Sequence, residues 1–92
     1  MTKPLKVLIF RAYNSTGALV GVEGVRTSHK YVRALMGETF TFPHKGDNIK
    51  MVVTAHTKEE AALLRRRLIK EHEVKSPGMF HDKIMGLVLG VK

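Results

Sequence analysis

Cysteine and tryptophan are both absent from this chain of 92 residues. Without cysteine the protein can form no disulfide scaffold, no thiolate zinc site and no Fe–S cluster, and it has no thiol nucleophile. The absence of cysteine is typical of a reducing compartment, so we expect a cytoplasmic protein. Two Tyr and four Phe are the only aromatic residues, which is few for a protein that binds nucleic-acid bases by stacking.

Long hydrophobic runs are also missing. No segment approaches the roughly 20 apolar residues that a membrane-spanning helix requires. The apolar part of residues 1–10 is too short for the core of a signal peptide. The apolar segment 84–91 is equally short, and we interpret it as a buried strand. The sequence therefore predicts no membrane partner.

Acidic residues are scarce relative to basic ones. Sixteen Lys and Arg stand against eight Asp and Glu, a formal net charge of +8 at pH 7. Hydrophobic residues make up 43% of the chain, which is enough for the core of one small folded domain. A basic domain of this kind is typical of proteins whose partner carries many negative charges.

Hydrophobic periodicity and turn residues predict the order of the secondary-structure elements. A capping box, Thr57-Lys58-Glu59-Glu60, predicts the start of a helix that ends near Glu73. A second helix begins at Thr27 or Ser28 and ends near Met36, before Gly37. Strands are predicted over four segments, 6–10, 39–42, 48–56 and 84–91.

The segment 18–25 leaves two topologies open, because its Val and Leu residues favour a strand while its glycines weaken one. If it is a loop, the order is βαββαβ, which resembles the ferredoxin-like plan. If it pairs with the first strand, the order is a ββαββαβ variant. In both cases we predict a two-layer α+β domain, with two helices on one face of a mostly antiparallel sheet.

The predicted helix 27–36 carries the clearest candidate binding surface. No carboxylate occurs between Gly24 and Gly37. Arg26, His29, Lys30 and Arg33 recur at helical spacing and share one side of the helix, opposite its apolar side. One rigid element could then contact several phosphates, or a row of carboxylates on a protein.

Further basic residues are candidates for the same role. Arg65, Arg66 and Arg67 lie within the predicted helix that begins at Thr57, and Lys50 lies on a predicted strand. Arg65 falls near the centre of the apolar face, where flanking alanines leave room for its stem. Because Arg67 and Glu71 form an i,i+4 pair, and other acids share the helix, charge balancing is the alternative interpretation of the triplet.

Residue patterns for metal binding or catalysis are weak. No two of the five histidines stand three or four residues apart on one helix, and no HExxH pattern is present. Asp47 and Asp82 are the only aspartates, and no nucleophile elbow occurs. We therefore expect no metal, no cofactor and no enzymatic activity.

Two functions remain in competition. The first is a binding protein for nucleic acid, DNA or RNA, that contacts phosphates through Arg26, His29, Lys30 and Arg33, with added charge from Lys50, Arg65 and Arg66. The predicted strand 48–56 contains no Phe or Tyr, so we expect little base readout. The second is a protein-interaction module or inhibitor, such as a viral host-takeover factor, that docks on an acidic surface of a larger nucleic-acid-processing complex.

Self-association is compatible with either function. The segment 84–91 carries no charge, and an apolar strand left at a sheet edge invites pairing with a second copy. A homo-oligomer through this C-terminal strand is one prediction, and burial of the strand within the monomer is the other.

Overall fold

The computed structural model describes residues 6–26, 35 and 37–89. Four strands form one sheet in the order β2-β1-β4-β3, and every neighbouring pair is antiparallel. The strands are β1 (Lys6–Tyr13), β2 (Leu19–Arg26), β3 (Thr39–His44) and β4 (Asp47–Thr57), and β4 is followed by helices α1 (Lys58–Glu71) and α2 (His81–Leu89). The predicted α+β class, with helices packed on a mostly antiparallel sheet, is confirmed and is consistent with a ferredoxin-like arrangement.

The segment that the sequence left ambiguous is a strand. Strand β2 pairs with β1 as a hairpin, with a register irregularity between Ala12 and Tyr13. The connecting turn is held by Asn14, whose side-chain oxygen accepts hydrogen bonds from the backbone N–H groups of Thr16 and Ala18, at 3.1 and 3.0 Å. These bonds add to two backbone hydrogen bonds in the turn, from Asn14 N–H to Ala18 O and from Gly17 N–H to Asn14 O. Because β2 pairs with β1, the ββ start is the correct alternative.

Strands β3 and β4, which correspond to the predicted strands 39–42 and 48–56, pair as a second hairpin. Lys45 and Gly46 occupy its tip with φ values of 50° and 78°. Two successive positive φ values are typical of a type I′ turn, whose twist matches that of the flanking strands. Asp47 follows the tip. Hydrogen bonds from the Ser15 side chain and the Asn48 backbone lower the pKa of the Asp47 carboxyl. Since Ser15 lies in the turn between β1 and β2, its hydrogen bond links the two hairpin turns.

Strand β1 is buried on both faces. Leu8 and Phe10 point to one face and pack in a cluster with Met51 and Val53 of β4. Ile9 points to the other face and packs with residues of β2 and α1. Successive side chains of a strand alternate between faces, so the apolar run at 6–10 requires a covering layer on each side of the sheet.

Helix α1 covers one of these faces. Its capping box is present as predicted: Thr57 Oγ1 accepts from the Glu60 backbone N–H at 3.2 Å, and Glu60 Oε1 accepts from the Thr57 N–H at 2.9 Å. Ala61 is 4% exposed, and the half-buried Leu64, Leu68 and Ile69 pack beside it. The helix therefore lies over β1 and β2, and its remaining residues face outward.

The prediction of a strand at 84–91 is wrong, because residues His81–Leu89 form helix α2. Phe80, Ile84 and Val88 are all buried against the other face of the sheet. Their i, i+4, i+8 spacing places them on one side of a helix. The sequence does not reveal this spacing clearly, because a short apolar run fits a strand equally well. The phenyl ring of Phe80 makes edge contacts with Phe42 and His44, at centroid distances of 5.6 and 4.9 Å.

This correction changes two further expectations. The two described helices pack on opposite faces of the sheet, rather than together on one face, because the two faces of β1 belong to separate clusters. The predicted homo-oligomer also loses its basis, since Ile84 and Val88 are buried within the monomer and form no strand edge.

The predicted helix 27–36 lies outside the described residues except for Leu35. Leu35 is 4% exposed and belongs to the cluster beneath α2. The position of Arg26 is described, whereas His29, Lys30 and Arg33 fall outside the described ranges.

Two glycines of β2 differ in what an added methyl group would meet. A Cβ atom on Gly21 would lie 2.8 Å from Cδ2 of Phe80, whose ring is held in the core. A Cβ atom on Gly24 would lie 3.4 Å from side-chain carbons of Ile9 and Val7, an ordinary contact distance.

We therefore expect Gly21→Ala to lower the free energy of unfolding by about 1 to 3 kcal/mol through overpacking. Gly24→Ala is expected to be neutral or to stabilise by about 0.5 kcal/mol, because alanine reduces the entropy of the unfolded chain. Urea denaturation of the two variants measures both effects. Equal destabilisation of the two variants would contradict the packing described for Phe80.

Candidate nucleic-acid interface

A small groove separates β2 from α1 at one end of the sheet. Arg26 is the last residue of β2 and pairs with Val7 of β1. Lys58 is the first residue of α1, which begins directly after β4 has paired with that same end of β1. The chain therefore brings the end of β2, the start of β1 and the start of α1 together.

The groove has a volume of about 220 Å³ and a basic rim. Arg26, Lys58 and Arg65 are the charged residues that line it. The other lining residues carry no charge: Val7, Ile9, Gly24, Ala61 and Ala62. Two residues predicted as binding residues, Arg26 and Arg65, are thus brought together from different elements.

Arg65 occupies the position that its sequence context predicts. Arg65 is a half-buried residue of α1 and lines the groove together with Ala61 and Ala62. The small alanine side chains leave space for the aliphatic stem of the arginine, while its guanidinium remains at the surface.

The basic surface continues along α1 beyond the groove. A second depression is lined by Ala62, Arg65, Arg66, Ile69 and Lys70, and a third by Leu63, Arg66, Arg67, Lys70 and Glu71. Neighbouring depressions share lining residues, so the three are continuous. We call this continuous region the α1 basic surface and define it by six residues: Arg26, Lys58, Arg65, Arg66, Arg67 and Lys70.

Within the described ranges, no ion pair joins a cation of the α1 basic surface to Glu59 or Glu71, the acidic residues at the two ends of α1. A short contact between His81 Nδ1 and Glu23 Oε2, at 2.6 Å, lies on the opposite face of the sheet. The expected i,i+4 pair between Arg67 and Glu71 is therefore not formed. Glu71 lines the third depression without pairing, so charge balancing by direct contact does not account for the arginine triplet.

Lys50 lies apart from the α1 basic surface. It is exposed on β4, opposite Tyr13 of β1 and Thr41 of β3. Val7 of β1 pairs with both Arg26 of β2 and His56 of β4, so these three residues form one row across the sheet. Lys50 is six residues from His56 along β4 and therefore lies about 20 Å from that row. The predicted grouping of Lys50 with Arg26 and Arg65 in one contact surface is not supported by this register.

Lys50 instead shares a sheet face with a second polar cluster. Arg11 Nη2 donates to Thr54 Oγ1 at 3.3 Å, and Thr54 Oγ1 lies 2.7 Å from His56 Nε2. The three side chains are half-buried, and Arg11 Nε is buried without a hydrogen-bond partner.

Sequence reasoning missed Lys58 and Lys70 as members of the surface, and it did not consider Arg11. Lys58 was interpreted only as part of a capping box, and Arg11 follows directly after the predicted first strand. In the sequence, the alternation of Thr54 and His56 with the apolar Val53 and Ala55 is the sign of a partly open sheet face.

Metal-binding residues do not come together in the described part of the chain. No group of three or more His, Asp or Glu side chains within residues 6–26, 35 and 37–89 is placed to hold a metal ion. No helix in the same ranges is long and apolar enough to cross a membrane.

Comparison with known proteins gives no relative. No family model matches the sequence, and neither a curated protein nor a solved structure is significantly similar to it. The function must therefore be inferred from the surface itself.

Repulsion between neighbouring cations on α1 has a measurable consequence for stability. Arg66 and Lys70 are like charges at i,i+4, a spacing that destabilises a helix. We expect Arg66→Glu to raise the free energy of unfolding by roughly 0.5 kcal/mol at low ionic strength, because a glutamate there would attract Lys70. The gain should shrink in high salt. Urea denaturation at both ionic strengths checks this, with Lys75→Glu as the charge-matched control; a destabilised Arg66→Glu variant at low salt would contradict it.

Proposed function

We propose that this protein is a non-enzymatic, cytoplasmic nucleic-acid-binding protein that contacts phosphates through the α1 basic surface. The supporting observation is the continuity of six cations along one helix and the adjoining strand end. Such an arrangement repels itself in isolation, and bound phosphates would offset that repulsion.

The dimensions of the surface suit a phosphate backbone. Lys58 and Lys70 are twelve positions apart on α1, a distance of about 18 Å along the helix axis. Duplex DNA carries roughly one negative charge per 1.7 Å of its axis, so several phosphates lie within reach of the six cations. His29, Lys30 and Arg33 lie outside the described residues, and their contact with phosphates through the predicted helix 27–36 stays a prediction.

Base readout has little part in this proposal. The residues that line the three depressions include no Phe, Tyr or His. Contacts to phosphates fix position and affinity but carry no sequence information directly. We therefore expect binding with weak sequence preference and steep dependence on salt.

Fluorescence polarisation with labelled DNA and RNA across a salt series tests the proposal. If all six cations neutralise phosphates of duplex DNA, the logarithm of the association constant should fall against the logarithm of the salt concentration with a slope of about −5. The double variant Arg66→Glu/Lys70→Glu should bind at least tenfold more weakly at low salt and lower the slope by about 2.

The matched control is Lys75→Glu/Lys83→Glu, which changes the net charge by the same amount away from the α1 basic surface. Lys75 lies beyond the end of α1, and Lys83 Nζ lies 4.8 Å from the ring centroid of Phe42 on the other face. If the control loses as much affinity as the α1 variant, binding follows net charge alone and the proposed interface is wrong.

The alternative function, docking on an acidic protein surface as an adaptor or inhibitor, is favoured by one observation. Leu63 is 62% exposed and lines the third depression beside Arg66 and Arg67. An apolar side chain surrounded by cations suits a protein partner that pairs an apolar anchor with carboxylates. If neither DNA nor RNA binds at low salt, this alternative replaces the proposed function, and Leu63→Ala should then weaken the protein complex.

A further inference from the structure

The groove between β2 and α1 differs from the other two depressions of the α1 basic surface because cations from two elements, β2 and α1, line it. Lys58 and Arg65 are seven positions apart, so both lie on the same side of α1, about 10 Å apart along its axis. Arg26 faces them from the end of β2. A negatively charged group in the groove would therefore be contacted from opposite walls.

The floor of the groove strengthens these interactions. Val7, Ile9 and Ala61 are at most 7% exposed, and none of the lining residues is acidic. Charges interact more strongly beside a low-dielectric floor than they do in open water. Three cations held around an apolar floor form a site for a compact, multiply charged anion.

We propose that this groove binds the phosphate monoester at the end of a nucleic-acid strand. The inference rests on the proposed function and specifies which part of the nucleic acid enters the groove. A phosphate monoester carries a charge of about −1.5 to −2 near pH 7 and offers three acceptor oxygens. A phosphodiester within the strand carries a single charge and is flanked by sugars on both sides, so it suits the open part of α1 instead.

The size of the groove agrees with this assignment. Its volume of about 220 Å³ is below the range of about 300 to 1,000 Å³ that holds a drug-sized ligand. It has room for one phosphoryl group with a few waters, whereas a complete nucleotide would extend beyond it. The terminal sugar and base would then remain outside, along α1.

Gly24 keeps one wall of the groove open. It is exposed, lies in β2 opposite Ile9, and has no side chain to fill the space between Arg26 and α1. Its surroundings accept a Cβ atom at ordinary contact distance, and valine favours strands. Gly24→Val should therefore fill the groove and leave the fold intact.

The experiment compares short oligothymidines that carry a 5′-phosphate, a 3′-phosphate or neither, as competitors in fluorescence polarisation with the complete chain. We expect the oligonucleotide with the recognised terminal phosphate to bind about tenfold more tightly than the unphosphorylated one, as one additional set of charge-assisted hydrogen bonds would give. The two phosphorylated forms decide which strand end supplies the monoester.

Variants then assign the effect to the groove. Gly24→Val and the double variant Arg26→Gln/Lys58→Gln should abolish the advantage of the terminal phosphate. Thr41→Val, on exposed β3, and Lys75→Gln/Lys83→Gln are the matched controls and should retain it. Circular dichroism verifies folding, and the Gln double variant supplies the same test if Gly24→Val is unstable.

The outcomes separate this inference from the proposed function. If all three oligonucleotides bind equally tightly, the groove is not an end-binding site, although the nucleic-acid interface stands. If the advantage of the terminal phosphate persists in both groove variants, the monoester binds elsewhere and the inference is overturned. If none of the oligonucleotides binds at low salt, the proposed function and this inference fall together.

Discussion

Burial of β1 on both faces is the constraint on which the rest of the structure depends. Leu8, Ile9 and Phe10 are completely buried, although successive side chains point to opposite sides of the sheet. Apolar side chains on both faces of a strand must be covered on both faces. The sheet alone cannot cover its own faces, so α1 packs on one face and α2 packs on the other.

The position of α1 follows from this constraint and in turn creates the basic surface. With Ala61, Leu64 and Leu68 packed toward β1 and β2, the intervening basic residues must lie along the outer side and the edge of the helix. Arg65 is the boundary case. It is half-buried beside the small Ala61 and Ala62, and it lines the same groove as Arg26 at the end of β2.

A second polar area lies on the same face of the sheet as α1, on β1 and β4. Arg11, Thr54 and His56 are joined there by hydrogen bonds, with Lys50 further along the strand. Basic residues of the described ranges therefore lie in two separate areas, one along α1 and one on β1 and β4. The area along α1 contains more cations, and its charges are arranged around a groove.

The sequence by itself determined the elements that depend only on interactions between neighbouring residues. The capping box at Thr57 satisfies backbone donors within one turn, and the turn at Lys45-Gly46 depends on backbone conformation at two positions. Both could be predicted. Residues 84–89 could not, because their short apolar run suits a strand as well as a helix, and only the need to cover Phe10 and Met51 selects the helix. Likewise, an excess of positive charge was evident from the sequence alone. Only the tertiary structure brings Arg26 beside Lys58 and Arg65 and removes Lys50 from them, because residues distant in sequence become neighbours through strand register and helix docking.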